Sequence, residues 1–384
     1  MAYKYNILML NYEFPPIGGG AGQAHYRLLQ QYASMTDLKV DVLTSGLNKL
    51  IVTERLSENI TIYKVGIHKK NLHYWRKIEV LEWLFRAKGY YRRLVDDGDY
   101  DLVHAFFGFP TGWLCYRDGK LPYIISLRGS DVPGFNIRLG LDYKLLAGSF
   151  RRIWQSASAV IANSRGLQKL ALSFMPELNI KVIPNGVDVE RFSPSPDKKL
   201  SRPLQILTVS RLISRKRIDV LIEAVAKMQQ GGLDVCLNIA GEGNLLGNLQ
   251  KLSVDLSVAS KVRFLSRVPN EQMPDIYRRN DIFVMSSAHE GMSNAMLEAM
   301  ACGLPIVSSS CEGTEELIAD NGVIVPQADP ELFAQAIKKL ADSPEVYLAM
   351  SRKASEQAKK FSWHNTAGQY YNLYGSIAKA AKER

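Results

Sequence analysis

Cysteine is scarce. Four residues in 384 (Cys115, Cys236, Cys302 and Cys311) are scattered, with no C-x-x-C pair. This argues against a disulfide framework or a zinc site and suits a reducing cytosol. No apolar run reaches the roughly 18 residues that a membrane span needs. The start, Met1-Ala-Tyr-Lys-Tyr-Asn6, leads straight into a strand-like run. No signal peptide is therefore expected, and the protein is expected to be cytoplasmic. Low-complexity tracts and convincing internal repeats are absent. No helix-turn-helix, zinc-finger or RNA-binding signature is present, so nucleic acid is not an expected partner.

The chain does contain enough material for two domains of about 190 residues each. Its hydrophobic share of 46% is that of an ordinary soluble protein. Forty-eight Lys and Arg against 38 Asp and Glu leave a net charge of +10. The surplus favours anionic partners such as nucleotides, lipid headgroups or phosphorylated acceptors.

Strand-length apolar runs alternate with helix-like stretches. They fall at 5–10, 38–43, 60–65, 101–105, 123–127, 159–162 and 180–183. A Pro/Gly/Asn/Ser-rich segment at 184–196 breaks the pattern and reads as a turn and linker. The alternation then restarts at 204–209, 234–240, 261–265, 281–285, 305–309 and 322–325. This predicts an α/β protein with two mostly parallel sheets, each covered by helices.

The most informative segment is Glu290-Gly-Met-Ser-Asn-Ala-Met-Leu-Glu298. It follows a predicted strand and opens a predicted helix, which Gly303 and Pro305 stop. Glu290 then lies in a loop at the carboxyl edge of a sheet, where ligands of open α/β folds bind. Glu298 lies just over one turn into the helix. A helix start near Ser293 aims N–H groups at an anion. Such a turn suits a sugar at Glu290, a diphosphate at the helix start and a ribose at Glu298. A solvated pair of carboxylates is the plain alternative.

Other loops add to this pattern. Arg211 and Lys216 follow the 204–209 strand, with Arg215 and Arg217 beside them. Phe14-Pro-Pro-Ile-Gly-Gly-Gly-Ala-Gly22 follows the first strand and opens a helix. Its glycines permit close approach of backbone to phosphate, although it is not G-x-G-x-x-G. Asp97-Gly-Asp99 and Asp99-Tyr-Asp101 read as a turn entering a strand rather than a metal-binding D-x-D.

Taken together, these motifs resemble the retaining glycosyltransferases of family 4. The resemblance rests on His289 to Pro305, on Ile183-Pro-Asn-Gly-Val-Asp188, on Ser210-Arg-Leu-Ile-Ser-Arg-Lys216, on Gly241-Glu-Gly243 and on Phe361-Ser-Trp363. It implies the glycosyltransferase B fold: two Rossmann-like domains facing across a cleft, with a C-terminal helix crossing back. The expected acceptor domain is 1–186 plus about 365–384, and the expected donor domain is 187–364.

The resemblance also implies roles. Arg211 and Lys216 would hold the donor diphosphate, and Glu290 the donor sugar, as the catalytic set. Gly19, Gly20, Gly241, Glu242, Arg267, Val268, Gly291, Met292, Ser293, Asn294 and Glu298 would bind the donor. His104, Phe106, Arg128 and Asp131 would lie on the acceptor side. The family often carries His-x-His where this chain has His104-Ala-Phe106. His104 is either a ligand-facing residue or a packed strand residue. Arg128 and Asp131 either meet the acceptor or pair with each other.

The implied reaction moves a sugar from a UDP- or GDP-sugar to a hydroxyl of a sugar or lipid-linked acceptor, with retained configuration. No metal and no cofactor are expected. Cell-surface polysaccharide, lipopolysaccharide or glycolipid synthesis would be typical of the family. Rival readings are a sugar-nucleotide epimerase or hydrolase on the same fold, and a non-catalytic nucleotide-sugar-binding protein. The basic, aromatic stretch 68–94 reads either as an anionic-membrane surface or as an amphipathic helix packed on its domain.

Overall fold

The computed structural model describes residues 3–48, 50–72, 74–136, 139–196 and 198–383. Positions 1, 2 and 49, position 73 of the basic stretch, and positions 137, 138, 197 and 384 lie outside the described residues. The contacts divide the chain into Met1–Asn185 with Trp363–Arg384, and Gly186–Ser362.

The first unit holds β1 (Tyr5–Asn11), β2 (Leu38–Gly46), β3 (Val52–Ser57), β4 (Ile60–Gly66), β5 (Leu102–Phe106), β6 (Tyr123–Leu127), β7 (Ala159–Ala162) and β8 (Ile180–Val182). They form one eight-stranded sheet in the order β3-β4-β2-β1-β5-β6-β7-β8. All neighbours run parallel except β3 against β4. Ile7, Leu8, Met9 and Leu10 of β1 are all buried. Continuous burial without alternation is what a parallel sheet covered on both faces requires. Strand β3 was not expected from sequence. Its Val-Thr-Glu-Arg-Leu-Ser is mostly polar, because it occupies the sheet edge and exposes its middle.

The C-terminal helix, Trp363–Lys382, belongs to this first unit. Its apolar face buries Ala367, Tyr370, Leu373, Tyr374 and Ile377 at helical spacing. A buried polar chain fixes it. The Tyr374 hydroxyl lies 3.0 Å from that of Tyr32 and 2.6 Å from His104 Nδ1. His104 Nε2 lies 2.7 Å from Ser126 Oγ, which lies 2.8 Å from the Tyr370 hydroxyl. Every member of the chain has a partner, which is the condition for a buried polar network to stabilise rather than cost.

The second unit holds β9 (Leu204–Val209), β10 (Val235–Ala240), β11 (Val262–Phe264), β12 (Ile282–Met285), β13 (Ile306–Ser309) and β14 (Gly322–Val325). They form a parallel six-stranded sheet, ordered β11-β10-β9-β12-β13-β14. Here the Val187 N–H donates to the Phe361 carbonyl at 2.8 Å. The segments that enter and leave the unit are thus tied together.

Each sheet has a point where strand order reverses. In the first it lies between β1 and β5, and in the second between β9 and β12. Loops leaving the carboxyl ends of such strands diverge and leave a crevice for ligands. Among the described residues no helix is long and apolar enough to cross a membrane.

Replacing Tyr374 by Phe keeps the ring but strands the Tyr32 hydroxyl and His104 Nδ1 in the core. A loss of about 1–3 kcal/mol is expected, read from the urea midpoint of the transition that reports the first unit. An unchanged midpoint would show that the network does not hold the helix.

Candidate functional site

The loops after β9 and β12 meet at the reversal point of the second sheet. Arg211 and Lys216 lie on the first, and Glu290 on the second. The two loops are joined through their backbones. The Ala288 N–H donates to the Arg215 carbonyl at 2.9 Å. Ser286 Oγ lies 3.0 Å from the Lys216 carbonyl and 2.7 Å from that of Arg217. Arg217 itself takes the left-handed conformation, with φ of 46°, which turns the chain into the next helix. This framework lets Lys216 Nζ donate to Glu290 Oε2.

Electrostatics follow from that placement. Burial pushes the Glu290 carboxyl up, but Lys216, Arg215 and Arg211 outweigh it and hold the group below the usual carboxylate range. Glu290 is therefore an ionised acceptor at neutral pH, surrounded by cations. Its N–H donates to Glu312 Oε2 at 3.1 Å, and its carbonyl accepts from the Gly313 N–H at 3.0 Å. Glu312 Oε1 also lies 2.7 Å from His289 Nδ1. Gly313 must be glycine, because a Cβ there would overlap the Gly291 carbonyl oxygen.

The helix Asn294–Ala301 starts at Ser293, whose Oγ accepts the Met296 N–H at 3.3 Å. Met296, Leu297 and Met300 anchor it in the core. Gly291, Met292 and Ser293 are buried at its start, and Asn294 is half-buried. Glu298, half-buried one turn on, accepts the Tyr277 hydroxyl at 2.9 Å. Burial and Glu298 hold the Tyr277 phenol far above its ordinary value, so it remains a proton donor that orients the carboxylate.

Gly241 and Glu242 support the Arg211 loop. The Ser210 N–H donates to the Ala240 carbonyl at 3.0 Å and the Leu212 N–H to the Glu242 carbonyl at 2.9 Å. A Cβ at Gly241 or Gly243 would run into the carbonyls of Ser210 or Leu212. These glycines permit backbone to lie against backbone. The Gly241 N–H reaches the Ser266 carbonyl at 2.8 Å, next to exposed Arg267 and half-buried Val268.

The first unit presents a different picture at its own reversal point. Gly19 precedes the helix Gly20–Tyr32, and its N–H donates to Glu13 Oε2 at 3.2 Å. His104 and Phe106 lie wholly inside the core, because β5 is a central strand covered on both faces. Neither offers surface to an acceptor here. His104 takes the packed role, with both ring nitrogens engaged. Phe106 stacks on His25, with ring centroids 4.3 Å apart, and carries the Arg128 guanidinium 4.3 Å from its centroid.

Arg128 Nη1 donates to Asn185 Oδ1 at 2.9 Å. Buried Asp131 accepts the backbone N–H groups of Arg128 at 2.9 Å and of Gly108 at 2.7 Å. Asp131 thereby ties the β5 and β6 loops together. It meets Arg128 through the backbone, while the guanidinium turns to Phe106 and Asn185. Burial raises the Asp131 carboxyl despite those N–H donors.

The stretch 68–94 is a loop followed by the helix Lys77–Asp97. Its inner face buries Trp83, Ala87 and Tyr91. Its start rests on a buried ion pair, Lys69 to Glu79 at 2.7 Å. Nearby, the Asp101 carboxylate accepts the Asn6 N–H at 2.9 Å, as a turn residue would. Among the described residues no three His, Cys, Asp or Glu side chains gather as a metal-ligand set.

Comparison with known proteins bears on what these loops do. Residues 190–361 match the family described as glycosyl transferases group 1, and residues 18–191 match glycosyltransferase family 4. The chain is 33% identical over 310 residues to a D-inositol 3-phosphate glycosyltransferase of Corynebacterium jeikeium, covering 73% of each. The chain belongs to the group 1 glycosyltransferases, family 4. It is also 30% identical over 283 residues to a GDP-mannose-dependent α-(1-6)-phosphatidylinositol monomannoside mannosyltransferase of Mycolicibacterium smegmatis, covering 67% of this chain and 72% of that one.

In fold, this glycosyltransferase resembles a sucrose-phosphate synthase of Thermosynechococcus elongatus, with a TM-score of 0.82 at 19% identity, covering 98% and 100% of the two chains. It also resembles Anabaena HepE in complex with UDP and glucose, with a TM-score of 0.75 at 19% identity, covering 97% and 100%. The fold is that of the glycosyltransferase B class.

Sequence reasoning about this glycosyltransferase missed Tyr277, Glu312, His25 and Glu13. Tyr277 and Glu312 act on partners from other elements, His25 stacks on a strand residue, and Glu13 reaches Gly19 six positions on in its own loop.

Two expectations follow. Gly313→Ala must displace the Glu290 loop, lowering stability by about 2 kcal/mol or more. Gly247→Ala, where a Cβ meets nothing within 4 Å, should be neutral or slightly stabilising. Equal urea midpoints for both variants would remove the argument. The second concerns pH. Burial, then the nearby Arg128, lowers His25 to about 3, and burial, with His25 and Arg128 adding, holds His104 well below its ordinary value. Both gain protons only on unfolding. Their stabilisation is complete above the unfolded value of about 6.5 and is lost as pH falls toward 3. Unfolding midpoints should drop between pH 7 and 5, where carboxylates are still ionised. His104→Gln should flatten that slope, and an unchanged slope in the variant would refute the assignment.

Proposed function

We propose that this glycosyltransferase moves a sugar from a UDP- or GDP-sugar to an acceptor hydroxyl with retained anomeric configuration, without a metal or cofactor. The observation that carries this reading is the Lys216–Glu290 contact at the β9/β12 reversal point, with Arg211 and Arg215 acting on the same carboxylate. Arg211 and Lys216 bind the diphosphate and stabilise the charge that grows on it as the glycosidic bond breaks. Fixed cations facing developing charge supply a large share of catalysis.

Glu290, held ionised, accepts from hydroxyls of the donor sugar and positions it. Backbone N–H groups of Gly291 to Asn294 face the phosphates, and Glu298, oriented by Tyr277, takes the ribose hydroxyls. Gly241, Glu242, Arg267 and Val268 lie on neighbouring loops and complete the nucleotide side. In the transfer, the bond from the anomeric carbon to the phosphate oxygen breaks and the bond to the acceptor oxygen forms on the same face. The acceptor proton passes to the leaving phosphate oxygen. No side chain needs to act as nucleophile.

On the acceptor side we assign Arg128. Two relatives carry inositol 3-phosphate and phosphatidylinositol monomannoside in their names. A sugar or lipid-linked acceptor bearing phosphate suits the +10 charge of this chain. Glycolipid, lipopolysaccharide or polysaccharide synthesis at the cytoplasmic membrane surface, approached through 68–94, is the setting we propose.

Thermal shift against UDP- and GDP-sugars, followed by product analysis with and without acceptor, tests the reading. One nucleotide series should stabilise the protein. Arg211→Ala with Lys216→Ala should abolish that shift and cut transfer on the order of 10²–10³-fold. EDTA should leave the rate unchanged. Sugar released at full rate without acceptor would make the protein a hydrolase, and strong inhibition by EDTA would overturn metal independence.

A further inference from the structure

Five large apolar side chains, each more than half exposed, lie on two helices of the first unit. On the helix Lys77–Asp97, Ile78 is 68% exposed, Leu81 55% and Phe85 83%. On the helix Gly140–Gln155, Leu141 is 76% exposed and Leu145 83%. These are not scattered residues. Ile78, Leu81 and Phe85 are three and four apart, so they share one helical face, and Leu141 and Leu145 share another. The inner faces of both helices are already satisfied by buried Trp83 and Tyr91, and by Tyr143, Phe150 and Trp154. The outer residues are therefore surplus to the core. A contiguous exposed apolar patch marks an interaction surface.

The two helices start side by side. Lys77 Nζ lies 2.6 Å from Asp142 Oδ2, joining the first turn of one to the first turn of the other. From that junction both stripes change character in the same sense. The first continues from Phe85 to exposed Lys88 and Arg92, and the second from Leu145 through Gly148 to exposed Arg152. Each outer stripe thus starts with apolar residues and passes to cations.

We infer that the outer faces of these two helices form one docking surface for an anionic bilayer. Ile78, Leu81, Phe85, Leu141 and Leu145 enter the boundary between headgroups and acyl chains. Lys88, Arg92 and Arg152 rest on anionic headgroups. This deepens the membrane part of the proposed function by naming the surface, and it adds a second helix outside 68–94. It is independent of the transfer chemistry, since binding is read with no nucleotide sugar present.

Charge selects the occupant. A second copy docking through a two-fold axis would set one cationic patch against another of the same charge. Like-charge contact of that kind is costly, whereas an anionic surface complements the cations and adds to the apolar gain.

Co-sedimentation with vesicles tests this. The full chain should pellet with vesicles of phosphatidylcholine plus phosphatidylglycerol and stay largely in solution with phosphatidylcholine alone. Salt should weaken binding, since screening shortens the reach of the cations. Phe85→Ser with Leu145→Ser should weaken partition by roughly tenfold or more, with an unchanged melting curve. Lys88→Gln with Arg92→Gln should weaken it further and remove much of its salt dependence. No pelleting at low salt, or pelleting unaffected by the serine pair, would overturn the inference. So would a concentration-dependent dimer, in analytical ultracentrifugation, that the serine pair dissolves.

Discussion

The contact between Lys216 and Glu290 organises the second unit's carboxyl edge. A largely buried ion pair is a costly device. Removing one partner leaves an uncompensated charge where water is scarce, so the two side chains depend on each other. Their loops leave β9 and β12, the two strands at which the sheet changes direction. The pair, with the Ser286 and Ala288 bonds, keeps those loops together although their chains then move apart. Arg211 and Arg215 add positive charge beside a single paired carboxylate. The result is a fixed cationic edge with one oriented acceptor, which is what a diphosphate joined to a polyhydroxylated ring requires. Glycines at 241, 243 and 313 allow the supporting backbones to approach closely enough to hold it.

The first unit solves its reversal point with neutral rings rather than ions. Phe106 stands where the family resemblance led us to expect a second histidine. Its ring supports Arg128 on one side and stacks with His25. Cation–π contact holds a guanidinium without neutralising it. Arg128 therefore keeps its charge while its loop is fixed by Asp131. Two residues earlier on the same strand, His104 joins the network that docks the C-terminal helix. A residue that looks catalytic in a motif is here part of the packing, and the available cation is Arg128.

Much of this was legible in the sequence, for identifiable reasons. Strands such as β1 and β12 are buried on both faces, so they appear as uninterrupted apolar runs. Strand β3 is half-exposed at an edge and has no such run. Glu290, Ser293 and Glu298 lie on one continuous turn and helix, so their spacing alone places them. Tyr277 and Glu312 hold those same carboxylates and loops from other elements, and nothing local reveals the meeting. For His104, the sequence offered two roles, and only its two bonded nitrogens decide between them. The basic, aromatic stretch 68–94 likewise had two readings, and the helix satisfies each with a different face: Trp83 and Tyr91 pack inward while Phe85 and Leu81 remain outside.

Leu141 and Leu145 show why composition alone could not complete that picture. In a sequence, Gly-Leu-Asp-Tyr-Lys-Leu-Leu reads as an amphipathic helix start, and its leucines read as core. Tyr143 and Phe150 instead take the inward positions, which leaves the leucines on the opposite face. With the cations beyond them, these side chains make up the docking surface that we propose. The cationic edge at β9 and β12 and this apolar ridge lie in different units and use different residues. The nucleotide binding and the surface docking that we propose therefore rest on separate residues.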